Sequence, residues 1–169
     1  ASFSKCTAGT NGGAMYVIFS GDVSIDGASF SECTSVEYGG AMHVTRNPGL
    51  VSMEGTSFSE CTATIDGGAM YAYDSGDILT RGASFSNCRA VMNGGAMYVY
   101  NSGDILIDGA SVVGCTSGKQ TALYLSGIKR LALTNSQFVD SIASGTPAAL
   151  YFASSVAASG SILRNTTFF

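Results

Sequence analysis

GGAMYVYNSGDILIDGASVVGC, residues 94–115, is one unit of a repeat that fills most of the chain. Its opening Gly-Gly-Ala-Met also stands at Gly12–Met15, Gly39–Met42 and Gly67–Met70. A second motif, Phe-Ser-x-Cys, stands at Phe3–Cys6, Phe30–Cys33, Phe58–Cys61 and Phe85–Cys88, with steps of 27, 28 and 27 residues between the phenylalanines. A period of about 20–50 residues is the mark of a solenoid, propeller or array.

Inside the unit, Ala96–Tyr100 alternates with period two and predicts a strand. Asn101–Asp104 is a turn, Ile105–Asp108 a second strand, Gly109 a bend and Ala110–Val113 a third strand, closed by Cys115. Three short strands per coil of 27–28 residues predict an all-β chain folded as a parallel β-helix, a solenoid of about six coils. A β-sandwich would also give short strands, but not the same side chain at the same phase coil after coil.

Aligning the coils predicts the interior. The first strand supplies Met15, Met42, Met70, Met97, Leu123 and Leu150, then Val17, Val44, Ala72, Val99, Leu125 and Phe152. The second supplies Val23, Val51, Ile78, Ile105 and Leu131, then Ile25, Met53, Thr80, Ile107, Leu133 and Leu163. The third supplies Phe3, Phe30, Phe58, Phe85, Val112, Phe138 and Phe168. Stacking like on like would bury these rows and pair each backbone group with the coils on either side. The glycine pair before each alanine is expected to serve the backbone, through positive φ or through close approach of a neighbouring coil. A phosphate loop would need a following helix and lysine, and neither is present.

The chain of 169 residues suits a single domain, 1–169, with regular coils over 1–115 and degenerate ones over 116–169. Charged residues are 12%, about half the usual share of roughly 25%. The eight Lys and Arg are scattered, which argues against a nucleic-acid partner, and no run of about 20 apolar residues exists to span a membrane. The sequence begins in the middle of a repeat and stops at the same phase, as expected of a segment of a larger solenoid or of a processed chain. Cys6, Cys33, Cys61, Cys88 and Cys115 share one phase, so they are expected to form a buried column of thiols. Bonds between neighbours up the column remain an alternative; a metal centre is not expected, since no His accompanies them and a straight column is not a tetrahedron. No cofactor is expected.

One Gly-Gly-Ala-Met and one Phe-x-x-Cys per coil resemble the repeat of the chlamydial polymorphic membrane proteins, which pair Gly-Gly-Ala-(Ile/Leu/Met) with Phe-x-x-Asn. The resemblance covers residues 1–115 closely and the remainder loosely. In this chain Cys6, Cys33, Cys61 and Cys88 stand where the family has asparagine, a cysteine ladder in place of an asparagine one. The resemblance implies a right-handed coil and a surface-exposed, adhesin-like structural domain.

The outward rows decide the expected function. From the first strand they are an alanine row (Ala14, Ala41, Ala69, Ala96, Ala122, Ala149) and a row of Tyr16, His43, Tyr71, Tyr98, Tyr124 and Tyr151, widened by Tyr73 and Tyr100. His43 is expected to be a solvated member of that row. From the second strand the outward row is Asp26, Glu54, Arg81, Asp108, Thr134 and Arg164. Asp26 with Glu54, and Glu32 with Glu60, could be neighbours, but solubility explains them better than acid–base chemistry, and no enzyme is expected. Either stacked aromatics packing for stability or a binding face accounts for the tyrosines. Serines at 2, 29, 57, 84 and 111, and at 4, 31, 59 and 86, form two hydroxyl files. Asn165-Thr166-Thr167 is a glycosylation sequon.

The expected role is therefore a non-enzymatic extracellular or cell-surface structural and adhesive module. Its expected partners are itself, head to tail in a filament, or other extracellular proteins. A glycan-binding or carbohydrate-active β-helix using the tyrosine row is one alternative, and an ice-binding solenoid another.

Overall fold

In the computed structural model the described residues are 1–141, 149–154 and 160–169, and every regular element among them is a strand. Pro147 and Ala148, which stand in the sixth coil where the regular coils have the glycine pair, lie outside them. The strands stack in parallel into sheets of seven, five, six and six, each sheet taking no more than one strand from any coil. The chain is a parallel β-solenoid of about six coils.

Three of the sheets are those the repeat predicts. We name them by their commonest side chain. The phenylalanine sheet runs from Ser2–Ser4 to Thr167–Phe168, the tyrosine sheet from Met15–Ile18 to Leu150–Ser154, and the third sheet from Val23–Ser24 to Ile162–Arg164. The fourth is a two-residue ladder beginning at Thr7–Ala8, just after the first cysteine. It is too short to show a period, so the sequence does not announce it.

Register is residue on residue. Met70 pairs with Met42 and Met97, Phe58 with Phe30 and Phe85, and Ile78 with Val51 and Ile105. From the second coil to the fifth these side chains are fully buried in one continuous core. Each is worth about 1.5–3 kcal/mol of transfer free energy. Phe3, Phe30, Phe58 and Phe85 stack with ring centroids 4.9–5.0 Å apart, the spacing of the coils themselves. Thr80, within an inward row, is buried, and its hydroxyl donates to the Leu106 carbonyl at 3.5 Å.

The corners explain the motifs. In Phe-Ser-x-Cys the third residue is left-handed: Lys5, Glu32, Glu60 and Asn87 have φ between 52° and 55°. That corner returns the cysteine to the interior. Cys33, Cys61, Cys88 and Cys115 are fully buried free thiols, and Cys6, in the end coil, is half-buried. The Cys61 thiol donates to the carbonyls of Ser59 and Phe30, at 3.4 and 3.7 Å. Burial pushes the Cys33 thiol up to about 11.

The two glycines of each pair do different work. Gly67 takes φ +70°; Gly68 faces the next coil so closely that a Cβ would meet the Gly95 carbonyl oxygen at 2.0 Å. Both expected reasons for glycine hold, one at each position.

One expected row is corrected. Ala41, Ala69, Ala96 and Ala122 are fully buried rather than outward. The strand starts at the methionine, not at the alanine. The N–H groups of Ala41 and Met42 both donate to the Ala69 carbonyl at 3.0 Å, a corner arrangement. Period-two alternation therefore does not reach back to the alanine.

Candidate binding face

The tyrosine sheet projects its second and fourth residues outward. Tyr71, Tyr98, Tyr124 and Tyr151 lie in register. Their rings are nearly parallel, with centroids 5.1, 4.7 and 4.7 Å apart. Tyr73 and Tyr100 make a second, more exposed stack at 5.8 Å. In such a stack each ring face is covered by the next ring. What the ladder shows to solvent is ring edges and hydroxyls. Burial first, then the neighbouring tyrosines and Asp66, raises the Tyr71 and Tyr98 phenols above their ordinary range.

The ladder is interrupted at His43. Expected as a solvated residue, its side chain is instead enclosed, at 6% exposure. Three tyrosines enclose it. Tyr16 meets it edge to face at 5.0 Å, Tyr71 at 4.8 Å, and Tyr38 from the neighbouring corner at 6.1 Å. Tyr38 also leans on Tyr71 at 4.6 Å, tilted by 41°. Its Nδ1 is buried without a hydrogen-bond partner, and burial lowers the imidazole to about 4, so the ring is neutral at pH 7. Beside it lies a cavity of about 270 Å³ lined by these rings with Asn11, Thr45 and Arg46.

Sequence reasoning missed Tyr38. Its position carries Asn11, Asp66, Asn93 and Gln120 in the other coils. A residue that departs from the repeat in one coil is averaged away when coils are aligned.

The third sheet has an outer feature that the sequence also left unassigned. Leu79, Leu106, Ala132 and Ile162 form an outward row between the two inward ones, and with Leu50 they floor an open groove of about 450 Å³. Its rim charges are engaged: Arg130 pairs with Asp104, and Arg81 with Glu54 at 3.1 Å.

The carboxylates join one coil to the next. Asp22 accepts the N–H of Leu50 at 2.9 Å, Asp26 that of Glu54 at 2.8 Å, Asp66 that of Asn93 at 2.9 Å and Asp77 that of Asp104 at 2.8 Å. Each lies where strand pairing gives way to a corner. Asp26 and Glu54 are neighbours, as expected, but through a carboxylate and a backbone N–H. That bond, then the Ser24 and Ser52 hydroxyls, holds the Asp26 carboxyl below its usual range. The serine files are in register, with Ser31 donating to Ser4 at 3.1 Å. Glu32 pairs with Lys5 at 3.9 Å, and Asn165 donates to Asn135 at 2.8 Å from an exposed corner. Among the described residues no group of three or more His, Cys, Asp or Glu could hold a metal ion. The chain matches no protein-family model, no curated protein and no solved structure.

Proposed function

We propose that the chain is a non-enzymatic structural and adhesive repeat module, working outside the cell or on its surface. The observation that carries this role is the use made of its chemically versatile side chains. Asp22, Asp26, Asp66 and Asp77 accept backbone N–H groups of the following coil. A hydrolase would need two carboxyl groups about 5–9.5 Å apart, with one free to carry a proton. A carboxylate held below its usual range by a backbone N–H, as at Asp26, is poorly suited to that task.

The repeat supports the same role. Gly-Gly-Ala-Met with Phe-Ser-x-Cys resembles repeats of surface-displayed chlamydial proteins. Each coil meets its neighbour through near-identical rows, so the same contact can form between copies, head to tail. Contact with other partners falls to the tyrosine sheet, where Tyr73 and Tyr100 are exposed side by side and Tyr151 is exposed at the end of the other row.

Incubation with a panel of neutral and acidic polysaccharides tests this. No new reducing ends and no unsaturated uronates are expected. Release of either, proportional to protein concentration, would overturn the non-enzymatic role.

A further inference from the structure

The tyrosine ladder is closed to a ligand along most of its length, because its ring faces cover one another. It opens at the second coil. There Tyr16 stands edge-on to His43, at 89° between planes, and is 51% exposed. The ring contact recorded for Tyr16 is this edge-to-face one, so it does not stack as the other tyrosines do.

Around that opening the chemistry changes character. Tyr16, Tyr38 and Tyr71 give aromatic walls, and Asn11 and Thr45 give polar groups. Two enclosed polar atoms, His43 Nδ1 and Asn11 Oδ1, have no hydrogen-bond partner. A buried polar atom left unpaired destabilises the fold, and a hydroxyl-bearing ligand or a water can supply the missing hydrogen bond. Arg46 is the one charged side chain lining the cavity. Its guanidinium stands 5.9 Å from the Phe19 ring centroid, and no ion pair engages it among the described residues. The cavity, at about 270 Å³, falls just below the range of about 300–1,000 Å³ that holds drug-sized ligands. It suits one sugar ring rather than a chain.

We propose that the cup formed by Tyr16, Tyr38, His43, Arg46 and Tyr71 is a subsite for a single carboxylate-bearing pyranose unit of an acidic glycan. The apolar C–H face of the ring lies on Tyr16, the ring hydroxyls meet Asn11, Thr45 and the imidazole, and the carboxylate pairs with Arg46. A neutral sugar would leave the guanidinium unused. This rests on the adhesive role proposed above and names what the tyrosine sheet adheres to.

The test uses the full chain, with methyl glucuronide and methyl glucoside as probes, in saturation-transfer NMR and calorimetry. Glucuronide is expected to bind about tenfold more tightly than glucoside, the worth of one charge-assisted hydrogen bond at a partly exposed site. Arg46→Gln should abolish that preference. Tyr16→Ala, at an exposed position, should abolish binding with the fold intact by circular dichroism. His43→Tyr, which restores the ladder and fills the cup, should abolish binding without loss of stability. Absence of transfer from either sugar, equal affinity for both, or binding that survives His43→Tyr would each overturn the proposal. None of these results touches the adhesive role, which falls instead if the chain cleaves polysaccharides.

Discussion

Gly68 and Glu60 stand at neighbouring corners and are constrained in opposite ways. Gly68 has no room for a Cβ, since the contact would be with backbone of the next coil. Gly68→Ala is expected to cost about 1–3 kcal/mol or more, read as a fall in the urea midpoint. Glu60 is exposed and left-handed at φ 54°, a conformation costly for a residue with a Cβ. The corresponding residue one coil on is Asn87, at φ 53°. Glu60→Asn is expected to stabilise by about 0.5–1 kcal/mol, and a loss of stability would contradict the corner assignment. In the interior, Phe58→Ala opens a gap in the phenylalanine stack and should cost about 3–5 kcal/mol. Phe58 and Glu60 differ in legibility for a physical reason. An inward row repeats because burial demands it, so aligning the coils reveals Phe58. A left-handed corner accepts Lys5, Glu32, Glu60 or Asn87, and identity alone does not signal it.

At the scale of the strand, His43 is the informative departure. It sits in register between Tyr16 and Tyr71, and its imidazole is lowered from 6.5 to about 4 by burial. The unfolded chain binds the proton more readily, so stability is full above about 6.5 and declines as pH falls toward 4. The groups that face the ring are Tyr16, Tyr38 and Tyr71, with Arg46 beside the cavity. The expected loss between pH 7 and pH 4.5 is up to about 2 kcal/mol, and His43→Tyr should remove it. Equal unfolding midpoints at the two pH values would show that the ring is not enclosed. The tyrosine row was legible from period two, and Tyr71, Tyr98, Tyr124 and Tyr151 stand in register. Burial of His43 was not legible, because the residue that covers it, Tyr38, belongs to a corner and to one coil only. The alanine row failed for a related cause: alternation holds within a strand and stops where the chain turns.

At the scale of the whole molecule, a solenoid is nearly one-dimensional, and each coil contacts only its neighbours. Protection against amide exchange should be greatest in the coils around Met42, Met70 and Met97, whose methionines are fully buried, and should decline toward both ends. The last coil leaves Leu163 59% and Phe168 45% exposed, so in the isolated chain these rows are open to another coil of the same phase. The fold was legible because a repeat states the same structural solution several times. The function was less so, because most polar side chains that could carry chemistry are used between coils. Those uses depend on three-dimensional neighbours about 27 residues apart, as Asp26 and the Glu54 N–H are.

Electron microscopy of the isolated chain across a concentration series tests the structural role most directly. Six coils at about 4.8 Å give a unit of roughly 29 Å, and the account predicts rods that lengthen with concentration and show that axial repeat. Single particles of constant length at every concentration would contradict it.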